Sequence, residues 1–179
     1  TLDGAWQQAQ RENTCLAFIL LDVDDFKAIN DTYGHIHGDG CLRSIARQLE
    51  VSLQDSACTL GRYGGEEFGI VLPDTSMAQA AEVAEKCCQD IEQLQLPHES
   101  SMYGIVTLSL GVACIWPKPG ESSDILISKA DAALYLARAE HAQSGARERL
   151  TRLMGLWGEQ AGYALPERLP DLPGAAAER

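Results

Sequence analysis

The stretch Cys15-Leu16-Ala17-Phe18-Ile19-Leu20-Leu21-Asp22-Val23-Asp24-Asp25-Phe26-Lys27 decides the fold. From Cys15 through Leu21 it is unbroken apolar sequence, which suits a strand buried on both faces in the middle of a sheet. The run ends at Asp22, and two acids then appear where that strand must end. Upstream, Leu2, Ala5, Trp6 and Ala9 recur at helical spacing before Asn13 breaks the pattern. Downstream, Leu42, Ile45, Ala46, Leu49 and Leu53 trace a helical stripe over Asp39 to Leu53, and Gly34, Gly38 and Gly40 punctuate a loop that feeds it.

Further along, Ala57 to Tyr63 and Glu67 to Leu72 flank Gly64-Gly65, a pair that predicts a tight hairpin because both turn residues can take positive φ. Ser76 and Gln79 fit a capping box opening a helix with the stripe Met77, Ala80, Ala81, Ala84, Cys87, Cys88, Ile91 and Leu94. Tyr103 to Ile115 alternates through Val106, Leu108 and Leu110 as a strand. A helix is expected from about Ser123 to Glu140 and a short one over Ala146 to Trp157. Residues 1–160 are expected to form the domain. Residues 161–179, with Pro166, Pro170 and Pro173, read as a poorly ordered tail. The order β, α, hairpin, α, β, α predicts an α+β fold, an antiparallel-rich sheet with helices packed on it.

Composition narrows the function. Among 179 residues, 26 Asp plus Glu against 14 Lys plus Arg give a formal charge of -12, the wrong sign for a protein that holds duplex DNA or an anionic membrane by bulk charge. No nucleic-acid partner and no membrane contact are expected, and any phosphate must be bound locally. The apolar run ending at Leu21 is far short of the roughly 20 residues that span a bilayer. The P-loop and the G-x-G-x-x-G fingerprint are both absent. Of the 6 cysteines, Cys15, Cys41, Cys58, Cys87 and Cys114 read as small buried hydrophobes in a reducing compartment, with no disulfide framework expected. His35 and His37 lack a third ligand at zinc spacing and read as loop histidines.

The chemistry lies in Asp22 to Asp31, Gly34 to Asp39, and Arg62-Tyr63-Gly64-Gly65-Glu66-Glu67-Phe68. The first segment puts a carboxylate at the end of a central strand, and the third puts two more on a hairpin that can lie beside it. Carboxylates converging without basic partners repel one another and favour a hard divalent cation, with magnesium and a phosphate-bearing ligand the natural occupants. Phe26 stands where an EF-hand needs its third side-chain oxygen, which excludes that motif. Each piece alone has a plainer reading: turn chemistry for the hairpin, and a helix N-cap for Asp39.

Together the three pieces resemble the GGDEF family of diguanylate cyclases, with Gly64-Gly65-Glu66-Glu67-Phe68 as the GGEEF form of its signature. The resemblance runs from about Leu16 to Arg138 and includes Asn30-Asp31, Val106 to Ala113 and Lys129-Ala130-Asp131 through Tyr135. It implies a palm-like α+β fold with a ferredoxin-like core, and condensation of two GTP molecules into the second messenger cyclic di-GMP. By position it implies Asp22, Glu66 and the main-chain carbonyl of Val23 as ligands of Mg2+ or Mn2+. Glu66 is the candidate base, and Glu67 binds metal or orients the site. Phe26 (through its backbone N–H), Lys27 and Arg138 would meet the triphosphate, while Asn30, His35 and Asp39 line the nucleotide pocket. A carboxylate at Asp39 can accept from N1–H and the exocyclic amine of guanine, a donor pair adenine lacks. Each protomer binds one GTP, so the resemblance implies a catalytic homodimer, a cytoplasmic location that includes the cytoplasmic part of a membrane-attached protein, and an upstream sensory or regulatory domain.

Three departures stand beside the match. Asp55 and Cys58 occupy the positions of the arginine and aspartate of the family's product-inhibition motif, so no allosteric product site is expected there. Arg138 replaces a lysine, and Ala142 replaces an arginine that would contact phosphate. The family's opening segment is absent, so Thr1 reads as a point inside a larger parent protein. An active cyclase leads; the alternative is a catalytically weak GTP-binding regulatory module.

Overall fold

The computed structural model describes residues 1–143 and 153–157. Its elements are α1 (Leu2–Glu12), β1 (Leu16–Val23), α2 (Phe26–Tyr33), α3 (His35–Ser52), β2 (Thr59–Gly64), β3 (Glu67–Pro73), α4 (Met77–Gln93), β4 (Leu108–Ile115), α5 (Asp124–Gln143) and β5 (Leu153–Trp157). The sheet order is β2-β3-β1-β4-β5. β1 pairs antiparallel with both β3 and β4, β2 pairs antiparallel with β3, and β5 joins β4 in parallel. The first four strands therefore have the ferredoxin-like order expected of a βαββαβ chain.

Every residue of β1 is buried, as a strand covered on both faces requires. Ala17, Ile19, Leu21 and Val23 face one core with Leu42, Ile45 and Leu49 of α3 and Ala80, Ala84, Cys87 and Ile91 of α4. Leu16, Phe18 and Leu20 face a second core with Trp6 and Ala9 of α1 and Leu126, Ala130 and Leu134 of α5. This gives three layers, with the sheet in the middle. The closest approach is at Gly111 of β4, where a Cβ would run into the Ala130 carbonyl oxygen and the Leu134 backbone nitrogen of α5.

Several expectations are corrected. Cys15 and Cys114 are joined as a disulfide across 99 residues of sequence, with Cα atoms 6.6 Å apart, whereas Cys41, Cys58, Cys87 and Cys88 form no disulfide. The pair meets because β1 and β4 run antiparallel, bringing the start of one strand to the end of the other. Residues 153–157 form a strand rather than part of a helix, since the open side of β4 offers them a ladder of backbone partners. A short helix, α2, lies where none is predicted, and α3 begins at His35, so Asp39 sits inside a helix and is not its N-cap. β4 begins at Leu108 rather than Tyr103. The hairpin turns one residue later than predicted: Gly64 still pairs with Glu67, and only Gly65 takes positive φ, at 49°. The capping box of Ser76 and Gln79 is present, with both halves formed. The predicted tail lies outside the described residues. Among the described residues no helix is long and apolar enough to cross a membrane.

Candidate active site

The chemistry gathers at one end of the sheet. Asp22 and Val23 close β1, with Asp22 opposite Glu67 of β3 on one side and Ser109 of β4 on the other. The Asp22 side chain is only 4% exposed, and the Arg138 guanidinium of α5 donates to its Oδ2 at 3.2 Å. Glu66 occupies the turn beside Glu67, and both are half-buried rather than fully exposed. Arg62 latches that turn, its Nε and Nη2 donating to the Gly65 carbonyl at 2.8 and 2.6 Å. Asp22 and Glu67 thus face each other on adjacent strands, with Glu66 in the turn next to them.

Burial is the main reason that the Asp22 carboxyl is pushed up to about 6; Arg138 works against the rise, and the charges of Glu66, Glu67 and Asp24 add to it. A carboxylate so placed is short of positive charge, which a divalent cation would supply. Among the described residues no three His, Cys, Asp or Glu side chains converge to hold an ion by themselves. Two carboxylates and the Val23 carbonyl still suit magnesium, which usually keeps water or substrate phosphate in its remaining positions.

A pH dependence follows. The folded value lies above the ordinary 3.8, so Asp22 favours the metal-free fold most when protonated, and its contribution to stability falls as pH rises from 3.8 towards about 6. A metal bound at Asp22 would run the other way, because the ion would compete with that proton. Calorimetric titration of Mn2+ without nucleotide is expected to show affinity falling roughly tenfold per pH unit below about 6 and levelling off above it.

Between β1 and α2 the chain reverses at Asp25, which takes the left-handed conformation at φ 52° and makes no side-chain cap. The N–H groups of Phe26 and Lys27 therefore begin a helix without a capping side chain, an arrangement suited to an anion. Phe26 is buried and Lys27 is exposed. At the corner between α2 and α3, Gly38 lies so close to Asn30 that a Cβ would overlap the Asn30 Oδ1 atom, and the Phe26 ring would stand 3.2 Å away. This contact joins the start of α2 to α3. Asp39, the next residue, is exposed and lines a cleft of about 350 Å³ with Leu42, Arg43, Leu60, Arg62 and Phe68. His35 is exposed at the first position of α3 and is not among the cleft's lining residues. Arg138 also lines a second cleft with Glu67, Asp131 and Tyr135. Asp55 is exposed and Cys58 half-buried in the connection from α3 to β2.

Sequence reasoning missed Arg62 as the latch of the hairpin and Gly38 as the seat of Asn30. It also missed Asp24, which is buried and bonded to Ser109 of β4 and to Thr107 just before it. Only the position of Asp24, an acid directly after a buried strand, hinted at a role.

The family model described as diguanylate cyclase, GGDEF domain, matches residues 1–144. The chain is a GGDEF domain. It is 40% identical over 125 residues to diguanylate cyclase VdcA of Vibrio cholerae, covering 69% of this chain and 36% of that protein. It is 35% identical over 142 residues to response regulator PleD of Caulobacter vibrioides, covering 77% and 30%. The chain thus spans about a third of the length of these relatives. Among solved structures, the GGDEF domain of DgcB from Caulobacter crescentus in complex with c-di-GMP aligns with TM-score 0.71 and 31% identity, covering 86% of this chain and 85% of that one. The active GGEEF domain of a diguanylate cyclase from Vibrio cholerae aligns with TM-score 0.69 and 27% identity, covering 89% and 93%. Diguanylate cyclase SiaD of Pseudomonas aeruginosa, solved with its activator SiaC, aligns with TM-score 0.67 and 31% identity, covering 88% and 55%.

Proposed function

We propose that this GGDEF domain condenses two GTP molecules into cyclic di-GMP. The 3'-hydroxyl of each GTP attacks the α-phosphate of the other, so two phosphodiester bonds form, two α–β phosphoanhydride bonds break, and two pyrophosphates leave. The observation that carries this reading is the buried Asp22 at the end of β1, paired in register with Glu67 and next to the turn of Glu66, beside the uncapped start of α2. Asp22, Glu66 and the Val23 carbonyl would hold Mg2+ or Mn2+, and Glu67 would bind the ion or orient the site. The bound ion would polarise the α-phosphate and lower the pKa of the attacking hydroxyl. Glu66 is the candidate acceptor of that hydroxyl proton.

Lys27 and the N–H groups of Phe26 and Lys27 would bind the triphosphate, which is how a chain of net charge -12 can hold a polyanion. Arg138 would leave Asp22 for a phosphate oxygen once a metal neutralises that carboxylate. Asp39, with Asn30 and His35, would read the base. Each half-site holds one GTP, so the active unit is a C2 dimer, brought together by a regulatory domain in the parent protein. Ala142, in place of the family's arginine, favours the second reading of a weak, GTP-binding regulatory module.

Product formation from GTP and Mg2+ tests the proposal. Cyclic di-GMP should appear, and the rate per protomer should rise steeply with protein concentration. Absence of product from a forcibly dimerised form would leave only the regulatory reading. For the base, Asp39→Ala and Asp39→Ser should both weaken discrimination between GTP and ATP, by roughly 1–3 kcal/mol for a lost pair of charged hydrogen bonds. Because Asp39 sits within α3, Ser should not rescue as a capping residue would. Competition binding with the two nucleotides measures this.

A further inference from the structure

We propose that Asp24 is the positioning residue of the metal-bearing turn, clamping the Val23–Asp24 peptide to β4 so that the Val23 carbonyl is already aimed at the ion. The inference rests on the reading that Asp22, the Val23 carbonyl and Glu66 hold that ion. Asp24 lies directly after β1 and is 6% exposed, and a buried carboxylate persists only where its oxygens are satisfied. Its Oδ2 accepts from the Thr107 hydroxyl at 2.6 Å and its Oδ1 from the Ser109 hydroxyl at 2.5 Å, both short, charge-assisted bonds. Its own N–H donates to the Thr107 carbonyl at 3.0 Å.

Thr107 and Ser109 flank Leu108, and Leu108 is the register partner of Val23. The clamp therefore straddles the residue opposite the proposed carbonyl ligand. Sheet pairing and the carboxylate both tie that peptide to the same end of β4, one through the backbone and the other through side chains. Immediately afterwards Asp25 takes the left-handed conformation, which aspartate tolerates better than most non-glycine residues. Asp24 thus stands between the proposed carbonyl ligand and the reversal that aims the start of α2. Two hydroxyls and a carboxylate form a stiff, directional anchor that an apolar contact would not provide.

The test is Mn2+ binding to the full chain without nucleotide, read by electron paramagnetic resonance and accompanied by thermal melting. Asp24→Asn should fold yet bind Mn2+ about 10- to 100-fold more weakly, the loss typical when a group that orients a metal ligand is removed. Ser109→Ala keeps the charge at Asp24 but loses one donor, so it should weaken Mn2+ binding in the same direction, and Ser109→Thr should restore it. A cooperatively melting Asp24→Asn that binds Mn2+ like the parent chain would overturn the proposal. If Asp24→Asn fails to fold, equal Mn2+ affinity in Ser109→Ala and the parent chain overturns it instead. Asp22→Asn separates the two readings. If it too binds Mn2+ like the parent, the ion lies elsewhere and the assignment of the metal site fails, whatever Asp24 does.

Discussion

Asp22→Asn is expected to lower cyclic di-GMP formation by roughly 1000-fold while leaving the melting temperature unchanged or raised. A catalytic metal contributes several kcal/mol of transition-state stabilisation, and each 1.4 kcal/mol is about tenfold in rate. The unusual part is the stability. Burial disfavours the ionised Asp22, as its elevated pKa records, so the neutral amide relieves a cost that the carboxylate bears at neutral pH. The lost pairing with Arg138 offsets little, because that guanidinium is more than half exposed. Turnover and melting measured on one preparation decide the matter. A variant that loses activity and stability together would mark Asp22 as a structural residue.

The largest expected loss of stability lies away from the chemistry, at Gly111. A methyl group there meets main-chain atoms of Ala130 and Leu134, which cannot swing aside as the end of a side chain can. Overpacking against backbone should cost about 3 kcal/mol for Gly111→Ala, lowering the melting midpoint of a domain of this size by roughly 10 °C. Gly40 is the matched control, since it lies in α3 with open space around it. Gly40→Ala should be neutral or stabilise by about 0.5–1 kcal/mol, the ordinary gain for such a change in a helix. Parallel melting curves check both. An unaffected Gly111→Ala would mean that α5 can shift away from β4.

The legible parts of the molecule are those specified locally. β1 announces itself because a strand covered on both faces needs an unbroken apolar run, and α4 because its capping box and stripe are contiguous in sequence. α2 is illegible for the opposite reason: it is 8 residues long and opens on a left-handed Asp25 with no side-chain cap. The start of α3 misleads because glycines weaken helices, yet Gly38 is there so that Asn30 can sit against it. β5 and the Cys15–Cys114 bond depend on the sheet already existing. In the candidate site, the proposal for Asp22, Glu66 and Glu67 comes from their motif, whereas the partners of Asp24 lie 83 and 85 residues away and become visible only when β4 is laid beside β1.

The antiparallel placement of β4 against β1 also divides the molecule for anyone who would modify it. Asp22, Val23 and Leu108 meet at one end of the shared ladder, and Cys15 and Cys114 meet at the other. An 8-residue strand separates these ends by roughly 25 Å, well beyond the distance within which substitutions usually influence one another. Thermal robustness can therefore be engineered at the disulfide end by changes whose effects simply add to those made at the Asp22 end. One end can be hardened while the candidate site at the other is varied independently.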